Sequence, residues 1–173
     1  MKSILFICIG DSKIIGDSLG PVIGSELEKN KKEIEKTYNI CIDVLGTINN
    51  PLIYGNIERK ILSANKKQDL TVIIDSALGG KEHIGEVILT TNKIEIGTGI
   101  NTGMMLNGDI IIKGIIAEDL KNTKNNIYSL STAKIDKIEL LSKKVMSIIY
   151  EIFYIKSKYK NVPNGNNFYI DNI

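Results

Sequence analysis

Three short apolar runs constrain this chain most: residues 3–10 (SILFICIG), 70–75 (LTVIID) and 109–116 (DIIIKGII). A strand with one wetted face alternates apolar and polar side chains, whereas a run without alternation must be covered on both faces. Strands of that kind belong to a parallel sheet held between layers of helices.

The connections between the runs point the same way. After the first run, Pro21 sits where a first helical turn tolerates it, with Ser18 or Asp17 as the cap and Val22, Ile23, Leu27 and Ile34 at helical spacing. Residues 40–45 then read as a strand, 46–51 as a loop, 53–62 as a short helix and 70–75 as the next buried strand. In the middle, residues 85–91 and 93–96 leave no room for a crossover helix, and the expectation is that they form an antiparallel hairpin with each other. A glycine-rich loop, 97–108, leads to a strand at 109–116, and 118–126 is a polar connection. A long helix over 135–156 follows, with Ile138, Leu141, Val145, Ile148, Ile149 and Ile152 on its inward stripe. The predicted fold is therefore α/β: a three-layer, mixed but mostly parallel sheet with helices on both faces. Residues 1–158 are read as one domain, and 159–173, rich in Asn with Pro163 and Gly165, as a mobile polar tail.

Charge and composition exclude several classes of function. With a net charge of +2 and lysines scattered among the acids, no basic face recommends a nucleic acid or an anionic lipid. The apolar run at 4–9 is too short to span a membrane and lacks a signal-peptide cleavage site, so the chain is read as cytoplasmic. Cys8 and Cys41 both lie in apolar strand-like runs, where reduced cysteine behaves as a small hydrophobe; neither a disulfide nor a zinc site is expected.

In open α/β sheets ligands bind beyond the carboxyl ends of the strands, which here means residues 10–20, 46–51, 75–80 and 97–107. Asp17 lies in the first of these segments and Asp75 ends the third strand. Strands one and three usually adjoin in such sheets, so the two carboxylates are expected to converge. A close, partly buried pair holds one raised pKa and one ionised group, which divides the roles of proton donor and water-activating base. The alternative is structural: Asp17 caps the following helix and Asp75 binds loop amides.

Other motifs are weaker. Gly16-Asp17-Ser18-Leu19 spells the signature of GDSL esterases, but a serine nucleophile needs a base histidine near the C-terminus, and the only histidine is His83, in a turn that reads as exposed. Ser18 is therefore expected to cap a helix. The loop holding Gly97, Gly99 and Gly103 has the wrong spacing for a dinucleotide and precedes a strand, but its free amides suit a bound peptide or an oxyanion. Asp109 is expected to end that loop through local hydrogen bonds.

The order of motifs resembles the YyaC family of sporulation-specific proteases, which are similar to the germination protease of spore formers. The resemblance is carried by Cys8-Ile9-Gly10, Gly16-Asp17-Ser18-Leu19-Gly20-Pro21 with Gly24, Gly46-Thr47 with Pro51, Ile74-Asp75-Ser76-Ala77-Leu78-Gly79, Gly97-Thr98-Gly99-Ile100-Asn101, and Gly108-Asp109-Ile110 with Gly114. It implies a fold shared with germination protease and with hydrogenase-maturation endopeptidases. By the same resemblance, Asp17 and Asp75 match the catalytic aspartates of an aspartic-type, cofactor-free peptidase of sporulation or germination, while Thr47, Gly97, Gly99 and Asn101 fall at substrate-binding positions. The implied substrates are proteins or peptides, small acid-soluble spore proteins among them, and the implied location is the forespore or mother-cell cytoplasm. Hydrogenase-maturation enzymes bind nickel with an additional histidine, which has no counterpart near 97–107 here. A non-catalytic peptide-binding or regulatory protein on the same fold is the competing expectation.

Overall fold

The computed structural model describes residues 1–64, 68–96 and 104–158. Along the chain run β1 (Lys2–Cys8), α1 (Leu19–Tyr38), β2 (Ile40–Leu45), α2 (Ile57–Ser63), β3 (Leu70–Gly79), β4 (Val87–Ile96), β5 (Met104–Glu118), α3 (Thr123–Ser131) and α4 (Ile135–Lys158). Two single 3-10 turns, Ile15–Asp17 and Lys81–His83, lie in the connections. The five strands form one sheet in the order β2-β1-β3-β5-β4. All neighbours are parallel except β4, which runs antiparallel to β5.

The two-residue period of a strand sorts β1 between two cores. Ile4, Phe6 and Cys8 face the larger one, with Leu19, Ile23 and Leu27 of α1 and Leu141, Val145, Ile149 and Phe153 of α4. Leu5 and Ile7 face the smaller one, with Leu52, Ile57 of α2, Ile73 and Ile111. Helices thus cover both faces of the sheet, giving the three layers that the unbroken apolar runs require. In the larger core the Phe153 ring meets Phe6 edge-on at 5.7 Å and Tyr38 at 5.5 Å. Phe153 extends the inward stripe of α4 beyond the isoleucines picked out by spacing. Helix α1 stops at Asn39, which adopts the left-handed conformation (φ 52, ψ 46) that a polar side chain tolerates at a helix end.

Four expectations are corrected. The residues around 85–96 do not pair with each other: β4 is one continuous strand, and its hairpin partner is β5. The register shifts between Thr90 and Asn92, where Thr91 alone stands opposite Asp109 and Ile110 of β5, so the break expected at residue 92 is a bulge and not a turn. Residues 104–108, assigned to the glycine loop, are the first part of β5. The helix placed at 53–62 starts only at Ile57, because Asn56 folds its side chain back to accept the amide of Ile53 at 3.0 Å and holds that stretch as a turn. The polar connection at 118–126 contains the start of α3, whose Asn122 side chain accepts the Asn125 amide at 3.2 Å as an N-cap. Its Asn-rich sequence has weak helix propensity, so packing decides its conformation. The tail 159–173 lies outside the described residues, and among those described no helix is long and apolar enough to cross a membrane.

Candidate active site

The first carboxylate is positioned by close approach of the chain to itself. Beyond β1, the Ile9 amide bonds the Ile74 carbonyl (2.8 Å) and the Gly10 amide bonds the Leu52 carbonyl (2.9 Å), which carries the strand to the sheet's edge. Gly10 then turns with φ +142, and a Cβ there would lie 1.9 Å from the carbonyl oxygen of Asp17. Only glycine allows this contact. The chain returns through Ile15–Asp17, and Oδ2 of Asp17 accepts the amide of Asp11 at 2.8 Å. The Asp17 carboxylate is committed to this loop, not to the amides of α1. The cap expected of Ser18 is also absent: its buried hydroxyl donates to the Ile15 carbonyl at 2.7 Å.

Asp75 lies in β3, beside β1 and just past the buried Ile73 and Ile74. It shares with Asp17 a cavity of about 760 Å³ at the carboxyl edge of the central strands. Ile14, Ile53, Tyr54, Leu78, Ile127 and Leu130 supply apolar wall, and Asp11, Lys113 and Ser76 supply polar lining. Helix α3 closes one side: a Cβ on Gly16 would meet the Leu130 carbonyl at 2.5 Å, so the 3-10 turn and α3 pack backbone to backbone.

Both carboxyls are pushed up. Asp75 is raised from 3.8 to about 7, first by burial and then by the negative charge of Asp17, with the Lys113 ammonium and the Ser76 amide acting against them. Asp17 is raised from 3.8 to about 6, chiefly by burial, with the Asp11 amide opposing the rise and the Asp11 charge adding to it. A cavity floor walled by isoleucine and leucine solvates an anion poorly, so the neutral acid persists to near-neutral pH. The Asp17 charge adds to the rise of Asp75, so near neutral pH one of the two carboxyls can hold a proton while the other is ionised.

The remaining predicted positions are distributed differently. Thr47 does not line the cavity; its hydroxyl accepts the Asn50 amide at 3.1 Å and stabilises the turn after β2. Gly97, Gly99 and Asn101 lie outside the described residues. His83 is exposed, with Nδ1 3.0 Å from Glu86, and does not line the cavity. Asp109 is inside β5, and its Oδ2 accepts the Thr71 amide at 2.7 Å, a long-range bond between strands in place of the local one expected. Cys8 and Cys41 are free thiols. Among the described residues no group of three or more His, Cys, Asp or Glu is placed to hold a metal ion.

Asp11, Ser76, Lys113 and the α3 residues Ile127 and Leu130 were not singled out as site residues from sequence. One signal was available for Lys113, the single charge within the apolar stretch Ile110-Ile111-Ile112-Lys113-Gly114-Ile115-Ile116.

Residues 1–148 match the model of the family described as "Protein of unknown function (DUF1256)", and the chain belongs to that family. It is 29% identical over 135 residues to the uncharacterized protein YyaC of Bacillus subtilis (strain 168), a match covering 73% of this chain. The chain spans about 62% of the length of that relative. Two solved structures share the fold. The NiFe hydrogenase maturation protease HycI of Thermococcus kodakarensis KOD1 superposes with a TM-score of 0.55 and 21% identity, covering 88% of this chain and 93% of the other. HybD, the corresponding protease of Thermococcus kodakarensis, superposes with a TM-score of 0.51 and 15% identity, covering 88% and 99%. The fold is thus that of hydrogenase maturation proteases, as the motif order implied.

Proposed function

We propose that this protein is an endopeptidase that hydrolyses a protein or peptide substrate with the carboxyl pair Asp17 and Asp75. The observation that carries the reading is one cavity lined by both carboxyls, each raised by burial and one raised further by the other. Asp17, the less raised, is the base: ionised, it takes a proton from water, and the water oxygen adds to the scissile carbonyl carbon as the carbonyl π pair moves onto oxygen. Asp75, the more raised, is the acid. Its proton passes to the amide nitrogen as the C–N bond breaks, releasing a carboxylic acid and an amine. Transfer of the Asp17 proton to Asp75 restores the pair. Asp11 orients Asp17 through its amide, and the apolar walls hold the segment flanking the scissile bond away from bulk water.

The sporulation setting rests on the motif resemblance to germination protease, which makes small acid-soluble spore proteins the first substrates to try. The test incubates wild type, Asp17→Asn and Asp75→Asn with those proteins and with a peptide library. Each variant is expected to lose roughly 10²–10⁴-fold of the wild-type rate. The double variant should lose little more, because members of one catalytic unit are not additive. Tight peptide binding by wild type without cleavage at any pH from about 4 to 8, the range spanned by carboxyls raised this far, replaces the reading with that of a peptide-binding protein.

A further inference from the structure

Lysine is an unusual residue for the middle of a strand covered on both faces, since its charge has to reach water or a partner. Lys113 follows the buried Ile111 and Ile112 and precedes the buried Ile115 and Ile116. It is the register partner of Asp75 on the neighbouring parallel strand, so the two side chains leave the same face of the sheet side by side. Both line the cavity. Among the described residues the Lys113 ammonium donates no hydrogen bond and closes no salt bridge; its charge acts through space on Asp75. The other lysine of the cavity, Lys121, is held by Asp119 and is 84% exposed. The remaining charged lining groups, Asp11, Asp17, Glu95 and Asp119, are acids.

An acidic cavity is a poor place for the reaction proposed above. Addition of water to an amide carbonyl builds a negative oxygen, and the carboxylates of Asp11, Glu95 and Asp119 around it would repel that charge. One cation beside the proton donor offsets this where the charge develops. We propose that Lys113 is a catalytic residue whose ammonium binds the carbonyl oxygen of the scissile peptide and stabilises the oxyanion of the tetrahedral intermediate, an assignment that rests on the two-carboxylate reading. The lysine neither gives nor takes a proton in the cycle; it donates a hydrogen bond that strengthens as the carbonyl π pair moves onto oxygen.

The experiment compares wild type, Lys113→Met, Lys113→Arg and Lys113→Gln on a peptide that wild type cleaves, with thermal unfolding of each and a carboxyl-carbon NMR titration of Asp75. Lys113→Met should lower kcat on the order of 10²-fold, the cost of one oxyanion donor, with KM changed less than about threefold. Lys113→Arg should recover most of that loss by keeping the charge. In the Met variant the Asp75 carboxyl should titrate at higher pH, because the cation that lowers it is gone. If the Met side chain unfolds the strand, the Gln variant carries the same comparison. A kcat within about threefold of wild type, a loss confined to KM, or an unmoved Asp75 titration overturns the assignment of Lys113 and leaves the carboxyl pair standing. A wild type that cleaves nothing removes both.

Discussion

Oδ2 of Asp17 accepts the main-chain amide of Asp11 at 2.8 Å, which ties the carboxylate to a loop that starts at Gly10. The loop closes only because Gly10 carries no Cβ, the position of which would fall 1.9 Å from the Asp17 carbonyl oxygen. Gly10→Ala is therefore expected to displace Asp17 and to cost at least about 1–3 kcal/mol, the range for a side chain forced into a disallowed backbone conformation. Urea unfolding measures the loss. Stability within a few tenths of wild type would contradict the packing described for this loop.

The two raised carboxyls also set how stability changes with pH. Each binds its proton more tightly in the folded chain than at its ordinary 3.8, with Asp17 near 6 and Asp75 near 7. Between about pH 4 and 7 the folded state thus holds more protons than the unfolded one, and stability falls as pH rises. Above pH 7 both groups are ionised and the penalty is complete. Asp75→Asn should be more stable than wild type at pH 8, by on the order of 1–3 kcal/mol, and lose that advantage at pH 4. Urea titrations at the two pH values decide it; an Asn variant less stable than wild type at pH 8 would refute the raised Asp75.

The same pair predicts a bell-shaped activity profile. Catalysis needs Asp17 ionised and Asp75 protonated, so kcat/KM should peak between the values of about 6 and 7 held by the two groups. A rate that climbs steadily past pH 9 would point to a different base.

Ser18→Ala should leave cleavage intact. Its hydroxyl serves the Ile15 carbonyl at 2.7 Å in the 3-10 turn, and losing that bond costs about 0.5–1.5 kcal/mol in unfolding experiments. Loss of all turnover with little change in stability would revive the serine nucleophile.

Phe153→Ala tests the aromatic cluster of the larger core. The ring is fully buried against Phe6 and Tyr38, and removing it should cost about 3–5 kcal/mol. A loss below about 1 kcal/mol would mean that α4 repacks freely on the sheet.

Elements whose signal is local were legible before folding. Unbroken apolar runs mark β1 and β3 as doubly covered, and helical spacing marks α1 and α4, because a strand and a helix each impose their period on neighbouring residues. The placement of Asp17 and Asp75 near strand ends was legible for the same reason. Partner choice was not: β4 takes the following strand β5 as its partner, and the break in the pattern at residue 92 accompanies a bulge that imitates a turn when only neighbours are visible. Helix α3 was missed because its own sequence barely favours a helix, and contact between Gly16 and Leu130 holds it in place. The chemistry of the site belongs to the tertiary level as well. Lys113 acquires a role from the register that sets it beside Asp75, and the raised pKa values come from the walls that exclude water. Sequence determines which groups the chain carries and the local period that exposes or buries them; long-range packing determines which of them share a low-dielectric cavity, because desolvation and charge coupling depend on distance in space.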